Sequence, residues 1–188
     1  MPLNLPNLIT LLRILLIPLI VGVFYLPDTW LAYGGKNVAA TTIFIVAAVT
    51  DWLDGYLART LNQMSAFGAF LDPVADKLVV VGALVVLLTL GRVDMVVGLI
   101  IIGREIAISA LREWMAQLGQ GKSVAVAYIG KVKTVLQMVA IPLLLFEDRL
   151  FGAIDCSALG TVLIYVAAVL TVVSMLYYLR RALPLLRA

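Results

Sequence analysis

Four aspartates, Asp51, Asp54, Asp72 and Asp76, lie close together in sequence that is otherwise strongly apolar. An acid near the centre of a bilayer costs about 2.5–3.5 kcal/mol on insertion scales, so intramembrane carboxylates indicate a functional site. Carboxylate oxygens suit Mg²⁺ or Mn²⁺ better than zinc or copper. Two such ions can hold a diphosphate and stabilise the attacking and leaving oxygens. These residue types therefore predict metal-assisted chemistry on a phosphate-bearing substrate.

The first pair of acids predicts one face of a helix. Asp51 and Asp54 are three residues apart, Gly55 and Ala58 continue the same face, and Arg59 lies beside it. Glycine and alanine leave space where a bulky ligand must approach the backbone. We therefore expect an acidic, sterically open helical surface.

The second pair predicts a matching face, because Gly68, Asp72 and Asp76 recur at steps of four. The short polar link at residues 60–65 makes the two helices antiparallel neighbours, so their acidic faces are expected to meet around one pocket. Asp76 is the candidate base for an attacking hydroxyl. Asp72-Pro73 leaves a second interpretation open, in which Asp72 only caps a helix that begins there.

The composition indicates a polytopic membrane protein, since 63% of the 188 residues are hydrophobic and the mean hydropathy is +1.09. The chain has no histidine, which excludes His-liganded zinc and Ser-His-Asp chemistry. Cys156 is the single cysteine, so no intrachain disulfide forms. No block of like charge suggests a nucleic-acid partner.

The hydrophobic segments predict an all-α fold, a single membrane domain covering residues 1–188 with a bundle of six transmembrane helices. The spans are expected at about residues 5–26, 38–59, 66–90, 93–115, 124–146 and 158–178. The first segment lacks the features of a cleaved signal, so we expect it to remain as a membrane helix.

The distribution of basic residues predicts that both termini are cytoplasmic. On that orientation the outer loops keep Lys36, Arg92 and Arg149. The cytoplasmic ends carry Arg59, Arg112, Lys122, Lys131, Lys133, Arg180, Arg181 and Arg187. The aspartates then lie towards the cytoplasm, where nucleotides and soluble metabolites are available.

Four basic residues on later helices, Arg104, Arg112, Lys131 and Lys133, are candidates for a pocket that binds an anionic substrate. Two alternatives stay open. Basic side chains near helix ends can extend to lipid headgroups instead. Arg104 is deeper and precedes Glu105, so a structural ion pair with another helix competes with substrate binding for it.

The pattern D-x2-D-G-x2-A-R-x8-G-x3-D-x3-D resembles the signature of the CDP-alcohol phosphatidyltransferases at every fixed position. It is carried by Asp51, Asp54, Gly55, Ala58, Arg59, Gly68, Asp72 and Asp76. Outside the signature, residues 7–13, 104–114 and 130–134 resemble the bacterial members that make phosphatidylglycerophosphate.

This resemblance implies a homodimeric enzyme of the bacterial inner membrane. It transfers the phosphatidyl group of CDP-diacylglycerol to the 1-hydroxyl of sn-glycerol 3-phosphate and releases CMP. The resemblance also implies that the four aspartates bind the metals and that Asp76 is in addition the base. It assigns the cytidine diphosphate part to Gly55, Ala58, Arg59 and Gly68.

Several functions remain as alternatives at this point. Related enzymes use serine, inositol phosphate or phosphatidylglycerol as acceptor, although a cationic pocket favours a phosphorylated alcohol. A divalent-cation transporter would also place aspartates within the membrane, but acids on only two adjacent helices do not line a continuous pore. A structural subunit without catalysis is a third alternative.

Overall fold

The computed structural model describes residues 4–61, 65–117, 128–150 and 152–182. The described part is all-α, as predicted, apart from two exposed two-residue strands that pair antiparallel between the last two helices. The elements are α1 Leu5–Val23, α2 Tyr33–Thr60, α3 Ala66–Thr89, α4 Met95–Gln117, α5 Tyr128–Phe146, β1 Arg149–Leu150, β2 Ile154–Asp155 and α6 Cys156–Ala182.

Three of the helices in the described ranges are long and apolar enough to cross a membrane. The candidate spans are Leu5–Val23, Tyr33–Leu57 and Cys156–Tyr177. A polytopic membrane fold is therefore confirmed, while the full set of six spans stays a prediction.

Helix α3 begins at the residue after Ser65, whose hydroxyl accepts a hydrogen bond from the backbone N–H of Gly68 at 3.0 Å. This is the usual way in which an N-cap side chain satisfies an unpaired donor of the first turn. Asp72 and Pro73 lie well inside the helix. The interpretation of Asp72 as a helix cap is therefore wrong, because Ser65 already caps this helix about two turns earlier.

Helix α2 begins at Tyr33, five residues before the predicted start, and so includes Gly34 and Gly35. Glycine in a helix costs about 1 kcal/mol relative to alanine, so the sequence alone favours a turn here. Tertiary contacts offset this cost. Lys36 donates to Asp28 at 2.7 Å, and Asn37 accepts a hydrogen bond from Arg92 at 2.7 Å.

Helix α1 packs extensively against both α2 and α3, which contact each other much less. At one point α1 and α3 are so close that a methyl group on Gly82 would lie 2.8 Å from Ile17. The apolar core continues through the other helices and includes Ile20, Phe44, Leu84, Ile101, Ile141 and Ile164, all nearly inaccessible to solvent. The first helix is thus the element that fixes the two acid-bearing helices relative to each other.

Candidate active site

Arg13 of α1 lies at the centre of the acidic cluster, with only 1% of its side chain exposed. Its Nη1 donates to Asp51 at 2.8 Å and also to Asp76, and its Nη2 donates to Asp54. One guanidinium therefore joins acids of α2 and α3. A buried charge of this kind is stable only when it is paired and hydrogen-bonded, as it is here.

Thr10, one helical turn before Arg13, connects the remaining acid to the cluster. Its hydroxyl lies 2.8 Å from an oxygen of Asp72 and 3.1 Å from an oxygen of Asp54. The four acids therefore gather around the first helix. The acidic faces of α2 and α3 therefore meet, and side chains of α1 contact acids of both helices.

Asn7 extends the same face of α1 by another turn, because residues 7, 10 and 13 recur at steps of three. Its side-chain amide donates to Ser65 at 3.0 Å. A methyl group on Gly68 would lie 2.6 Å from the Asn7 oxygen, so only glycine fits without displacing that side chain. Gly68 thus makes room for α1 in this structure, and its role towards a nucleotide stays a prediction.

The other residues predicted to bind the nucleotide lie at the end of α2. Gly55 is partly exposed and directly follows the buried Asp54. The side chains of Ala58 and Arg59 lie outside the described part of the structure. Their predicted role is therefore not tested by side-chain contacts.

A cavity of about 150 Å³ opens from the acidic cluster towards α4 and α5. Asp51 and Asp76 line it, and their side chains are 43% and 46% exposed, whereas that of Asp54 is 3% exposed. The acids thus differ in access, and Asp51 and Asp76 are the ones that face open space. The lining also includes Lys77 of α3, Glu105 of α4, and Thr134 and Gln137 of α5.

Glu105 contacts two of the four residues predicted to bind the acceptor. Lys133 of α5 forms an ion pair with Glu105, and Arg104 lies 3.2 Å from the same carboxylate oxygen. Arg104 also donates to Ser174 of α6 at 3.2 Å. The alternative of an interhelical structural role therefore has direct contacts to support it, and the two cations together exceed the charge of the one acid.

The remaining two predicted acceptor residues, Arg112 and Lys131, belong to α4 and α5, but their side chains lie outside the described part of the structure. No contact of theirs can be compared with the prediction.

Thr10, Arg13, Lys77 and Ser109 were missed as site residues by reasoning from the sequence. The sequence contained a signal for Arg13, because this charged residue lies in an apolar span whose own helix has no acid to pair with it. Such a residue requires a partner on another helix. Lys77 lies outside the signature, directly after Asp76, and so was not considered. The hydrogen bond that it donates to Ser109 depends on how α3 and α4 pack.

The cluster has the chemistry of a cation site. Three carboxylates already contact one cation, the Arg13 guanidinium, and one arginine offsets one of the four acidic charges. Among the described residues, no three acidic side chains are arranged so that they could hold a metal ion without rearrangement. Arg13 lies among the carboxylates in this structure. The hard-oxygen donors fit a divalent ion, which must share or displace the contacts of the guanidinium.

Comparison with known proteins agrees with the signature. The family profile of the CDP-alcohol phosphatidyltransferases matches residues 3–173. Proteins of Shigella flexneri serotype 5b (strain 8401), Shigella boydii serotype 4 (strain Sb227) and Escherichia coli (strain K12) are each 52% identical over 190 residues. These matches cover 97% of this chain and 96% of each relative.

All three relatives carry the name CDP-diacylglycerol--glycerol-3-phosphate 3-phosphatidyltransferase. Enzymes of this family generally depend on divalent metals. The signature, the profile match and the similarity over nearly the whole length together show that this chain belongs to the CDP-alcohol phosphatidyltransferase family.

Proposed function

We propose that this membrane enzyme transfers the phosphatidyl group of CDP-diacylglycerol to sn-glycerol 3-phosphate, producing phosphatidylglycerophosphate and CMP. The observation that carries the proposal is the gathering of the four signature aspartates around Thr10 and Arg13, with Asp51 and Asp76 on the wall of a cavity, in a chain 52% identical to relatives named for this reaction. The reaction is a step of phospholipid biosynthesis.

The reaction replaces one phosphoester bond by another. The 1-hydroxyl oxygen of the acceptor attacks the phosphorus that bears the diacylglycerol, and the bond from that phosphorus to CMP breaks. The leaving CMP oxygen takes the electron pair. Asp76 receives the proton of the hydroxyl, a role supported by its place on the cavity wall and its 46% exposure.

We assign the metal ligands to Asp51, Asp54, Asp72 and Asp76, which would hold Mg²⁺ or Mn²⁺, with two ions per site. When bound, the ions supply charge that offsets the negative charge building on the phosphoryl oxygens. The excess of acidic over basic charge around Arg13 supports this assignment. Thr10 orients the acids furthest from the cavity by its contacts with Asp54 and Asp72.

We assign the two substrates to opposite sides of the acids. The cytidine diphosphate part binds along Gly55, Ala58, Arg59 and Gly68, as the signature implies. The phosphate of the acceptor binds towards α4 and α5, where the candidates are Arg104, Arg112, Lys131 and Lys133. The two cations that share Glu105 support a net positive region next to the cavity.

We further propose that the enzyme is a homodimer of the bacterial inner membrane with both termini in the cytoplasm. The support is the family resemblance and the bias of basic residues towards one set of loops. The orientation is consistent with a site that must receive water-soluble glycerol 3-phosphate.

An acceptor panel tests the reaction. Purified protein receives CDP-diacylglycerol, Mg²⁺ and one candidate acceptor at a time: sn-glycerol 3-phosphate, serine, inositol phosphate or phosphatidylglycerol. We expect strong CMP release with glycerol 3-phosphate. Strong release with another acceptor and none with glycerol 3-phosphate would contradict the assignment.

A further inference from the structure

Lys77 directly follows Asp76 on α3 and lines the same cavity as Asp51 and Asp76. Its amine donates a hydrogen bond to the hydroxyl of Ser109 on α4. Among the described side chains it forms no ion pair with a carboxylate. Within the described part of the chain, the cavity therefore has a cation in its wall that has no direct contact with an acid.

The neighbouring cations differ in this respect. Arg13 contacts three aspartates, while Lys133 and Arg104 both contact Glu105. Binding an anion at those three residues means competing with an acid that is already in place. A lysine ammonium has three donors, and Ser109 accepts one of them from Lys77. Two donors stay available for a ligand in the cavity.

We propose that Lys77, positioned by Ser109, binds the phosphate group of the acceptor alcohol. This inference rests on the proposed function and adds a residue to it. Adjacent residues on a helix point about 100° apart, so Asp76 and Lys77 face different parts of one cavity. Glycerol 3-phosphate carries its reacting hydroxyl and its phosphate at opposite ends of a three-carbon chain. One molecule can therefore place the hydroxyl at Asp76 and the phosphate at Lys77.

The position also favours the acceptor over the donor as the ligand of Lys77. The diphosphate of CDP-diacylglycerol is assigned to the metal-binding aspartates, which lie towards α1. Lys77 instead donates to Ser109 of α4, and the wall of the same cavity includes the polar side chains of Glu105, Thr134 and Gln137 beside apolar ones such as Val80 and Met138. The polar part of this wall, on α4 and α5, suits a small polar molecule better than a lipid chain.

The test compares the KM values of the two substrates in the full-length enzyme. In Lys77→Gln we expect the KM for glycerol 3-phosphate to rise about tenfold or more, because a charge-assisted hydrogen bond is lost. The KM for CDP-diacylglycerol should change less than about twofold, and Lys77→Arg should recover part of the loss. Lys36→Gln is the matched control, because this lysine pairs with Asp28 far from the cavity. It should leave both KM values unchanged.

Each contrary outcome has a distinct meaning. An unchanged KM for glycerol 3-phosphate in Lys77→Gln, with an active parent enzyme, overturns the inference and leaves the proposed function intact. A parent enzyme that releases no CMP with this acceptor overturns the proposed function itself. A rise confined to the KM for CDP-diacylglycerol shows that Lys77 binds the donor and overturns the assignment.

Ser109→Ala separates positioning from a purely structural contact between α3 and α4. It keeps the amine but removes the group that holds it, so the KM for glycerol 3-phosphate should rise about threefold. If both variants lower the thermal stability equally and leave both KM values unchanged, the contact is structural and the inference is wrong. Should Lys77→Gln fail to fold, Ser109→Ala alone is used. A rise in its KM for glycerol 3-phosphate supports the inference, and an unchanged KM contradicts it.

Discussion

Two buried arginines, Arg13 and Arg92, lie towards opposite ends of α2 and show how similar residues serve different purposes. Arg92 donates to the backbone carbonyls of Leu144 and Leu145 at the end of α5, at 3.0 and 2.8 Å, and forms an ion pair with Glu147 at 2.6 Å. Arg13 contacts three carboxylates and has a fourth close by.

The difference lies in the charge balance. Around Arg92 one acid matches one base, and the carbonyls at a helix C-terminus favour a cation. The charges of this arrangement are balanced without a ligand, and its contacts stabilise the packing of α2 against α5. Around Arg13 the acids outnumber the base, so the charges of the cluster are balanced only when a further cation binds. Charge balance, rather than burial, distinguishes the binding site from the structural contact.

The largest effect is expected from Asp76→Asn, which removes the proposed base. Turnover should fall about 10²–10⁴-fold, the usual contribution of general base catalysis. Measured CMP release reports it, with thermal stability as the test of folding. The control is Asp94→Asn, because Asp94 caps α4 and asparagine caps equally well. Parent-like turnover in Asp76→Asn would favour a non-catalytic subunit.

The two arginines can be compared directly by replacing each with alanine. Either change leaves groups of a buried pair uncompensated, and we expect losses of about 3–5 kcal/mol in the free energy of unfolding. Saturating Mg²⁺ should restore stability to Arg13→Ala but not to Arg92→Ala, because only the former faces an excess of carboxylates. Thermal unfolding with and without a chelator measures this. Equal responses to Mg²⁺ would contradict the comparison.

A smaller effect is expected from Gly68→Ala, whose added methyl group would lie 2.6 Å from the Asn7 oxygen. Displacing Asn7 from α3 should cost about 1–3 kcal/mol of stability. Gly103→Ala is the matched control, because a methyl group at that helical position meets no atom within 4 Å. Thermal unfolding of both variants checks the prediction, and equal values would show that α1 adapts freely.

The smallest effect is expected from Asp28→Asn. The Asp28 side chain is 81% exposed, whereas that of its partner Lys36 is 7% exposed, and asparagine keeps an oxygen that can accept the hydrogen bond of this lysine. We expect a loss below about 1 kcal/mol and unchanged CMP release. A loss as large as that of Arg92→Ala would show that the end of the bundle near Arg92 depends on both contacts.

Much of the fold was predictable because long hydrophobic segments predict membrane helices. The steps of three and four residues in the signature predict which acids share a helical face. The start of α2 was not predictable, because Gly34 and Gly35 favour a turn locally. In the structure Lys36 contacts Asp28 and Asn37 contacts the distant Arg92, and both contacts support the longer helix. The start of α3 at Ala66 was predicted, and its cap at Ser65 is a local contact with the backbone of Gly68.

The arrangement of the site was predictable only in part. Spacing shows which residues of one helix share a face, and this identified the four acids. It contains no information about a third helix packed against two others, so Thr10 and Arg13 were not recognised. For the same reason the contacts of Lys133 with Glu105 and of Arg104 with Ser174 became evident only from the packing of α4, α5 and α6.

The place of Arg13 has a consequence for biosynthesis. Helix α1 leaves the ribosome before α2 and α3, so its arginine enters the bilayer when no carboxylate is yet available. An unpaired arginine there costs about 2.5–3.5 kcal/mol on insertion scales, and this cost disappears only when the later helices arrive. Pairing of Arg13 with the acids of α2 and α3 therefore favours association of the first helix with these two helices. The ion-binding centre forms in the same step in which the N-terminal half of the enzyme becomes stable.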